Sequence, residues 1–309
     1  MAATEVAAAV AKGLRGAGRE AVELPVADGG EGTMDVLYTV LGGERRTVSV
    51  SDPLGRPVDA VFVLLPDGRT AVVEAAQASG LGLVAEDERD AFAASSEGTG
   101  ELIVAAAAAG ADTVLVSVGG TANMDGGAGA VRALDEAGVS PKLDVLCDVN
   151  TPFEDAPRVF GPQKGADPDT VTRLEKRQQQ AAEHAPRDPR GVPMTGAAGG
   201  LSGGLWAHHG AELQPGAAYV LNAIGFDDAM RAAAFVVTGE GRLDEQTLAG
   251  KIVGEVATRC RQGGVTCHVV CGEDALSQFD HRLLDLASVT EAGTPQDLER
   301  AGAALVGAA

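Results

Sequence analysis

The sequence predicts an α/β protein with two domains. Its C-terminal third alternates short apolar runs with segments of helical periodicity, an order that produces a parallel sheet. Between residues 46 and 78, three short strand patterns lie so close together that they must pair antiparallel. We therefore expect a domain boundary near residue 46. Several predicted strands also end in loops that place an acidic residue among glycines, and such loops bind ligands in open α/β sheets.

Composition limits the possible partners. The chain has 309 residues, 45% of them hydrophobic, and a net charge of −20. Nucleic acid is not expected as a partner because its phosphates need a basic surface. A local anion site remains possible, since backbone amides and a few bases can form one. No apolar run approaches the roughly 20 residues of a membrane helix, and no signal-peptide pattern is present, so we expect a cytoplasmic protein without a membrane partner.

Cysteine and histidine give no metal motif. The cysteines lack metal-ligand spacing and are expected to be small core residues; they are Cys147, Cys260, Cys267 and Cys271. His208 and His209 are adjacent on a predicted helix, where neighbouring side chains point apart, so they are not expected to share a metal.

The first predicted elements are a helix over residues 4–16, a strand over 21–27 and a helix over 34–41. The loop before the second helix reads Asp28-Gly-Gly-Glu31-Gly-Thr33, and Thr33 is expected to help cap that helix. Three strands follow at 47–50, 60–65 and 70–74, separated by turn residues.

A second loop of this kind follows the next helix and strand. The helix is predicted over 96–109 and the strand over 113–118, and the loop then runs over 119–129 before another helix. The loop has five glycines around a single acid, Asp125. A tight turn that needs positive φ would explain one or two of these glycines, so we favour a functional loop.

The middle of the chain adds a strand over 143–149, which contains Asp148, and a turn over 161–165, which contains Lys164. A charged helix over 169–184 and a surface loop over 186–193 come next. Residues 196–204 are rich in glycine and lead into a short helix with Trp206. Those glycines either let a helix pack closely or turn backbone amides toward a ligand, and composition does not choose between the two.

The third acid–glycine loop lies in residues 235–251. An apolar strand at 235–237 is followed by Gly239, Glu240 and Gly241, and then by a helix over 247–260. The turn presents four charged side chains, Glu240, Arg242, Asp244 and Lys251. A solvated charged loop is the less favoured alternative. A strand at 266–271, a helix at 278–286, a strand at 287–290 and a helix at 295–305 complete the chain.

These loops carry the groups that phosphoryl transfer requires. Such a reaction needs cations or amides to balance phosphate charge, carboxylates to hold Mg²⁺, and an acceptor for the proton of the attacking hydroxyl. The nucleotide motif with glycine, lysine and serine or threonine is absent, as are the dinucleotide fingerprint and the protein-kinase motifs. The residues alone indicate an α/β enzyme acting on an anionic small molecule.

Taken together, the motifs resemble those of the bacterial type I glycerate kinases. The matching segments occur in the family's order over residues 4 to about 272. They include Asp28-Gly-Gly-Glu-Gly-Thr33, Pro53-Leu-Gly-Arg-Pro57, Gly98-Thr-Gly-Glu101, the 119–129 loop, Phe160-Gly-Pro-Gln-Lys-Gly165, Gly196-Ala-Ala-Gly-Gly200 and Thr238-Gly-Glu-Gly-Arg-Leu-Asp244, with Gln246 and Gly250-Lys251.

The resemblance implies ATP-dependent phosphorylation of a hydroxyl of D-glycerate, with Mg²⁺. It also implies a flavodoxin-like parallel-sheet domain built from residues 1–46 and 229–309, with a mixed-sheet α/β domain, 47–228, inserted in it. The active site would lie in the cleft between the two. Which hydroxyl is phosphorylated, and the oligomeric state, are left open.

The resemblance further implies roles for the loop residues. Asp125 and Glu240 are candidate metal ligands or bases. Lys164, Arg242 and Lys251 would neutralise the glycerate carboxylate or the transferred phosphate. The remaining candidates would bind substrate or phosphate; they are Asp28, Glu31, Thr33, Gly119, Gly120, Thr121, Gly126, Gly127, Asp148 and Asp244.

Three departures from the family pattern suggest alternatives. The family's first strand and its lysine loop are not present, Met124 stands where the family has an amide, and the stretch from Leu134 to Leu143 is short. The second hypothesis is therefore a degenerate relative that binds an organic acid or nucleotide without turnover. The third is another enzyme class, such as a phosphate-dependent lyase or isomerase, which would not depend on ATP.

Overall fold

The computed structural model describes residues 1–248 and 251–306, apart from the side chain of Gln246. The chain forms two compact units, one of Met1–Asp28 with Ala217–Ala309 and one of Gly29–Gly216. We call them the terminal unit and the central unit. Gly250 of the matched motif lies outside the described residues. No helix within the described part of the chain has the length and apolar character needed to cross a membrane.

The strands among the described residues are β1 (Glu44–Ser51), β2 (Pro57–Leu64), β3 (Thr70–Glu74), β4 (Thr113–Ser117), β5 (Lys142–Cys147), β6 (Glu212–Pro215), β7 (Phe235–Leu243), β8 (Thr266–Asp274) and β9 (Leu286–Glu291). In the central unit the sheet order is β1-β2-β3-β4-β5-β6. β1, β2 and β3 pair antiparallel, as predicted for this stretch, and β3 to β6 pair parallel. In the terminal unit β7, β8 and β9 form a parallel sheet, which confirms the prediction for the C-terminal third.

The α-helices are α1 (Ala3–Gly16), α2 (Thr33–Leu41), α3 (Ala76–Ser79), α4 (Glu97–Ala108), α5 (Ala128–Ala137), α6 (Ala156–Phe160), α7 (Pro168–His184), α8 (Ala197–His209), α9 (Gly216–Ala223), α10 (Phe226–Ala232), α11 (Glu245–Leu248), α12 (Ile252–Gly263), α13 (Gln278–Leu283) and α14 (Pro295–Leu305). Short 3₁₀ turns occupy Leu81–Leu83, Glu86–Glu88, Phe153–Asp155 and Pro162–Lys164.

Aliphatic packing holds the central unit together. Phe62 of β2, Leu102 and Ile103 of α4 and Val116 of β4 have almost no exposed surface and belong to one apolar cluster. Burying side chains of this size stabilises a fold by about 1.5–3 kcal/mol each. This core gives the carboxyl ends of β3, β4 and β5 a rigid base.

Close helix contact characterises the terminal unit. The backbone of Gly13 in α1 approaches α14 so closely that an added Cβ would lie 2.0 Å from the carbonyl oxygen of Glu299. Val10 and Leu14 of α1 pack with Leu298 and other side chains of α14 in a second apolar cluster. Glycine is needed at position 13 because only its missing side chain allows this approach.

The structure corrects the N-terminal boundary and one predicted strand. The central unit begins after Asp28 rather than near residue 46, because α2 packs on β2 and β3 and its first turn is bonded to Glu74. Residues 21–27, predicted as a strand, form neither helix nor strand in the described chain. The guanidinium of Arg15 instead binds the carbonyl of Ala21 and the carboxylate of Glu23.

Two further boundaries differ from the prediction. The helix expected over 278–286 ends at Leu283, because Asp285 adopts a left-handed conformation, φ +58°, and β9 begins at Leu286. The glycines at the start of α8 are not regular helix. Ala198, Gly199 and Gly200 all have positive φ there.

Candidate active site

Polar groups gather at one edge of the central sheet. The parallel strands β3, β4 and β5 end at Glu74, Ser117 and Cys147, and Asp148 follows the last of these directly. Glu74 and Ser117 are paired in register. Because parallel strands end at a common edge, the loops after them lie together, in the position where open α/β sheets bind ligands.

Two glycine loops are pressed together at this edge. The amide of Val118 donates to the carbonyl of Gly29 at 3.1 Å. A Cβ added to Gly119 would lie 2.6 Å from the Cα of Gly30, and one added to Gly120 would lie 2.9 Å from a carboxylate oxygen of Glu31. The glycines at 119 and 120 therefore permit close backbone approach, and Glu31 stays exposed beside them.

Lys164 is the most unusual group at this edge. Its side chain is buried, and its ammonium donates to the Thr121 hydroxyl at 3.2 Å and to the Asn123 carbonyl at 2.8 Å. Burial lowers the pKa of Lys164 to about 7, although the negative charges of Asp125 and Asp148 act in the opposite direction. A buried lysine that titrates near neutral pH is typical of functional sites.

Asp125 does not have the free carboxylate that a metal ligand or base needs. One oxygen, Oδ2, accepts from the amide and the hydroxyl of Ser96 and from the amide of Gly129, at 2.8–3.1 Å. The other, Oδ1, accepts from the side-chain amide of Asn123 at 3.0 Å and from the amide of Gly127 at 3.2 Å. Mg²⁺ does not fit here, because binding it would break several of these bonds.

The glycines after Asp125 form the turn that leads into α5. Gly126 and Gly127 have φ of +67° and +81°, and Gly127 precedes the first turn of α5. The Gly126 amide donates to the carbonyl of Gly199 at 3.1 Å, and the Gly127 amide donates to Asp125. Gly126 and Gly127 were predicted to bind substrate or phosphate, and the amides of both are bonded within the protein.

The start of α8 packs tightly against the same loop. A Cβ added to Gly199 would lie 2.1 Å from the carbonyl oxygen of Asn123, so the paired glycines allow close packing. Ala198 holds an uncommon φ of +52°, and its carbonyl accepts from the Asn123 side chain at 3.0 Å. Met124, in turn, is buried among apolar side chains that include Ala91 and Leu174.

Sequence reasoning missed Glu74 and misassigned Thr33. The Thr33 hydroxyl is buried without a hydrogen-bond partner and does not cap α2. Glu74 instead accepts from the amides of Gly32 and Met34, at 3.0 and 3.2 Å. A sequence signal existed, because an acid that directly follows an apolar strand lies at the edge where ligands bind.

In the terminal unit the structure brings four predicted residues together. Glu240 is half-buried near the end of β7 and accepts from the Thr247 hydroxyl at 2.5 Å. Burial raises the pKa of Glu240; Lys251 opposes that shift, and the nearby charges of Asp244 and Asp28 add to it. These three neighbours are therefore close enough to Glu240 to shift its pKa.

Arg242 lies on β7 beside the neighbouring strand β8. Its side chain is 58% exposed and lies 3.4 Å from the equally exposed carboxylate of Glu273 on β8. Exposed pairs of this kind stabilise a fold by about 0–1 kcal/mol. Arg242 therefore makes an exposed ion pair across β7 and β8.

Carboxylates that suit Mg²⁺ are found in the terminal unit. Within residues 1–248 and 251–306, no three His, Cys, Asp or Glu side chains are arranged to hold a metal ion. Mg²⁺ keeps several waters, however, and commonly takes only one or two carboxylates together with substrate phosphates. Glu240, with Asp244 nearby, fits that requirement, whereas Asp125 does not.

Comparisons with known proteins agree on one family. A family model described as "Glycerate kinase family" matches residues 1–140 and 135–304. The chain is 38% identical over 291 residues to the glycerate 2-kinase of Escherichia coli strain K12, covering 82% of this chain and 76% of that protein. It is 36% identical to the glycerate kinase of Bacillus subtilis strain 168 over an alignment of 340 residues, covering 96% and 88% of the two chains.

A solved structure is similar over nearly the whole chain. The crystal structure of a protein assigned as glycerate kinase 2 of Salmonella typhimurium LT2 superposes with a TM-score of 0.82 at 31% sequence identity. The match covers 99% of this chain and 94% of that one. The likeness therefore extends beyond the glycine loops to nearly the whole chain.

Proposed function

This chain belongs to the glycerate kinase family, and on that premise we propose that it transfers the terminal phosphoryl group of ATP to a hydroxyl of D-glycerate. Both substrates are anionic small molecules, which suits an acidic chain that keeps a few basic groups in glycine-rich surroundings. The product is a phosphoglycerate, and ADP leaves.

The observation that carries this proposal is the burial of Lys164 beside the Gly119–Thr121 turn. Its ammonium is held by the Thr121 hydroxyl and the Asn123 carbonyl, and burial lowers its pKa to about 7. With two bonds made, the ammonium keeps a third N–H for a ligand. A desolvated cation at the end of a parallel strand attracts a carboxylate or phosphate more strongly than an exposed lysine would.

Glu240 supports the proton-transfer part of the reaction. The attacking hydroxyl must lose its proton, and a carboxylate whose pKa is raised toward neutrality is the better acceptor. Burial raises the pKa of Glu240, and the Thr247 hydroxyl holds its side chain in place. Lys251, close enough to act on Glu240, is suited to neutralise phosphate charge.

Magnesium is part of the proposal. When bound, Mg²⁺ would neutralise phosphate charge during the transfer. Asp244 would hold it in the terminal unit, together with water, which leaves the Glu240 carboxylate to accept the proton. Asp125 does not suit metal binding, because its two oxygens already accept five hydrogen bonds.

The decisive experiment is ADP release by the full chain with Mg-ATP, with and without D-glycerate. We expect release that depends on glycerate and stops when EDTA removes the metal. Thermal stabilisation by glycerate or ATP without ADP release would favour a non-catalytic relative instead. Conversion of an organic acid without ATP would indicate a lyase or isomerase and overturn the proposal.

A further inference from the structure

The carboxylate of Glu74 is buried at the end of β3, and none of the described lysine, arginine or histidine side chains forms an ion pair with it. Its side chain is 4% exposed, and its residue is paired in register with Ser117 of β4. A single oxygen, Oε2, accepts from the amides of both Gly32 and Met34. Burying a carboxylate without a cation is costly, so its retention requires an explanation.

Glu74 supplies a cap that α2 lacks. The residue before that helix is Gly32, with φ +89° and no side chain to accept a bond, and the hydroxyl of Thr33 makes none. The first amides of a helix have no partner within it, and an acceptor there stabilises the helix by about 1 kcal/mol. A negative charge also complements the positive end of the helix dipole.

The hydrogen bonds to Glu74 also hold the Gly29–Thr33 loop, which leads into α2. This loop presses on the Gly119–Thr121 turn, with the carbonyl of Gly29 bonded to Val118 and the carboxylate of Glu31 close to Gly120. A shift of the first turn of α2 would move Glu31 relative to that turn. The loop thus depends on a residue about 40 positions further along the chain.

We propose that Glu74 is a positioning residue of the kinase site, which holds the Gly29–Thr33 loop so that Glu31 receives a hydroxyl of the substrate. The inference rests on the proposed function. Because Glu74 occupies the amides of Gly32 and Met34, this helix end does not offer those two donors to a phosphate. The loop presents the Glu31 carboxylate instead, which repels phosphate and accepts a bond from a hydroxyl.

The charged neighbours of Glu74 have the same sign as Glu74 itself. Glu31 and Asp35 both raise the pKa of Glu74, in addition to the larger effect of burial, while the two amide bonds lower it. Glu74 therefore gains a proton at a higher pH than an ordinary glutamate does. Protonation removes the charge that faces the helix end, so the positioning weakens as pH falls through this raised value.

The test compares Glu74→Gln and Glu74→Ala with the wild-type chain, and uses Glu44→Gln as a matched control. Glu44 is an exposed glutamate at the start of β1 that pairs with exposed Arg46. The first readout is amide hydrogen exchange over residues 29–36, which needs no turnover. We expect exchange about fivefold faster in Glu74→Ala, the factor that corresponds to a lost cap of about 1 kcal/mol, and a smaller increase in Glu74→Gln, which keeps the acceptor but not the charge.

The second readout is kinetic. In Glu74→Ala we expect KM for D-glycerate to rise about fivefold while KM for ATP changes little, with a smaller rise in Glu74→Gln. In the wild-type chain KM for D-glycerate should rise as pH falls, because Glu74 gains a proton. This rise should be absent in Glu74→Gln, because an amide does not titrate in this range.

Two results overturn the inference. Unchanged exchange over 29–36 in Glu74→Ala would show that Glu74 does not hold the loop, and equal loss of affinity for ATP and glycerate would show that the loop does not select the hydroxyl substrate. If Glu74→Ala does not fold, the pH profile of Glu74→Gln decides. A wild-type chain without glycerate-dependent turnover would refute the proposed kinase, and hydrogen exchange would still report on the positioning.

Discussion

The Asp125 carboxylate binds Ser96 twice, through the backbone amide at 2.9 Å and through the hydroxyl at 2.8 Å. Ser96 precedes α4, and Asp125 also accepts from the amides of Gly127 and Gly129 at the start of α5. One carboxylate thus joins the N-terminal ends of two helices, where negative charge is favourable. Asp125 therefore holds the glycine loop against the first turns of α4 and α5.

We expect Asp125→Ala to destabilise the fold and not merely to remove activity. The change leaves several buried hydrogen-bond donors without an acceptor, and each such donor costs about 1–3 kcal/mol of stability. The free energy of unfolding in urea should fall by about 3 kcal/mol or more, and by less in Asp125→Asn, which keeps one acceptor. Asp87→Ala, at an exposed acid in a 3₁₀ turn, is the control. Wild-type stability together with lost turnover in Asp125→Ala would restore the catalytic assignment.

Lys164→Met should abolish glycerate-dependent turnover and also change how stability varies with pH. The lysine has its ordinary pKa of 10.5 when unfolded and about 7 when folded, so between these values only the unfolded chain holds the extra proton. Wild-type stability therefore gains relative to the variant as pH rises from about 7 to about 10. Urea unfolding at several pH values measures this difference.

Lys176→Met, on the exposed face of α7, is the matched control for that experiment. It should leave both turnover and the pH dependence of stability unchanged. A Lys164→Met variant that retains turnover would show that the buried ammonium does not contact the reacting groups.

Gly119→Ala should reduce turnover strongly through a single methyl group. That methyl would lie 2.6 Å from the Cα of Gly30, so one of the two glycine loops must shift. Displacement of reacting groups by about 1 Å can lower the rate about 100-fold. Steady-state kinetics measures the effect, and Gly82→Ala, where nothing lies within 4 Å, is the control. Equal activity of the two variants would contradict the tight contact between the loops.

Glu240→Gln should lower kcat about 100-fold or more if Glu240 accepts the substrate proton. The fold should persist, because the amide can keep the bond from Thr247. Since burial raises the pKa of Glu240, wild-type activity should fall on the acid side at a higher pH than for an ordinary glutamate. Glu273→Gln, at an exposed glutamate on β8, is the control. A Glu240→Gln variant with normal kcat at neutral pH would show that Glu240 does not accept the proton.

Much of the fold was predictable because it depends on local patterns. Short strand patterns separated by turn residues predicted the antiparallel β1–β2–β3 arrangement, and the alternation of apolar runs and helical periodicity predicted β7, α12 and the parallel β8. The glycine turn expected after residue 237 was wrong, because β7 continues through Gly239 and Gly241 to Leu243. The strand predicted over residues 21–27 was wrong. A strand also requires a neighbour to pair with, and none of the described strands pairs with this segment.

The candidate site was predictable only as a set of loops. Lys164 and Arg242 are both basic residues in matched motifs, yet one is buried beside Thr121 and the other is exposed against Glu273. Residue type and spacing do not encode burial at a loop. For the same reason Asp125 and Glu240, both acids among glycines, differ in whether their oxygens are already occupied.

The sequence by itself determined the fold class, the order of most elements, the glycine loops and the family, because these follow from periodicity and short motifs. Only the tertiary structure decided what each polar group does. Asp125 bonds to Ser96 across 29 positions, Lys164 to Thr121 across 43 and Glu74 to Gly32 across 42. Such partners meet only after the sheet and its helices have packed, and a buried polar group acquires its charge and its role from the partners it meets there.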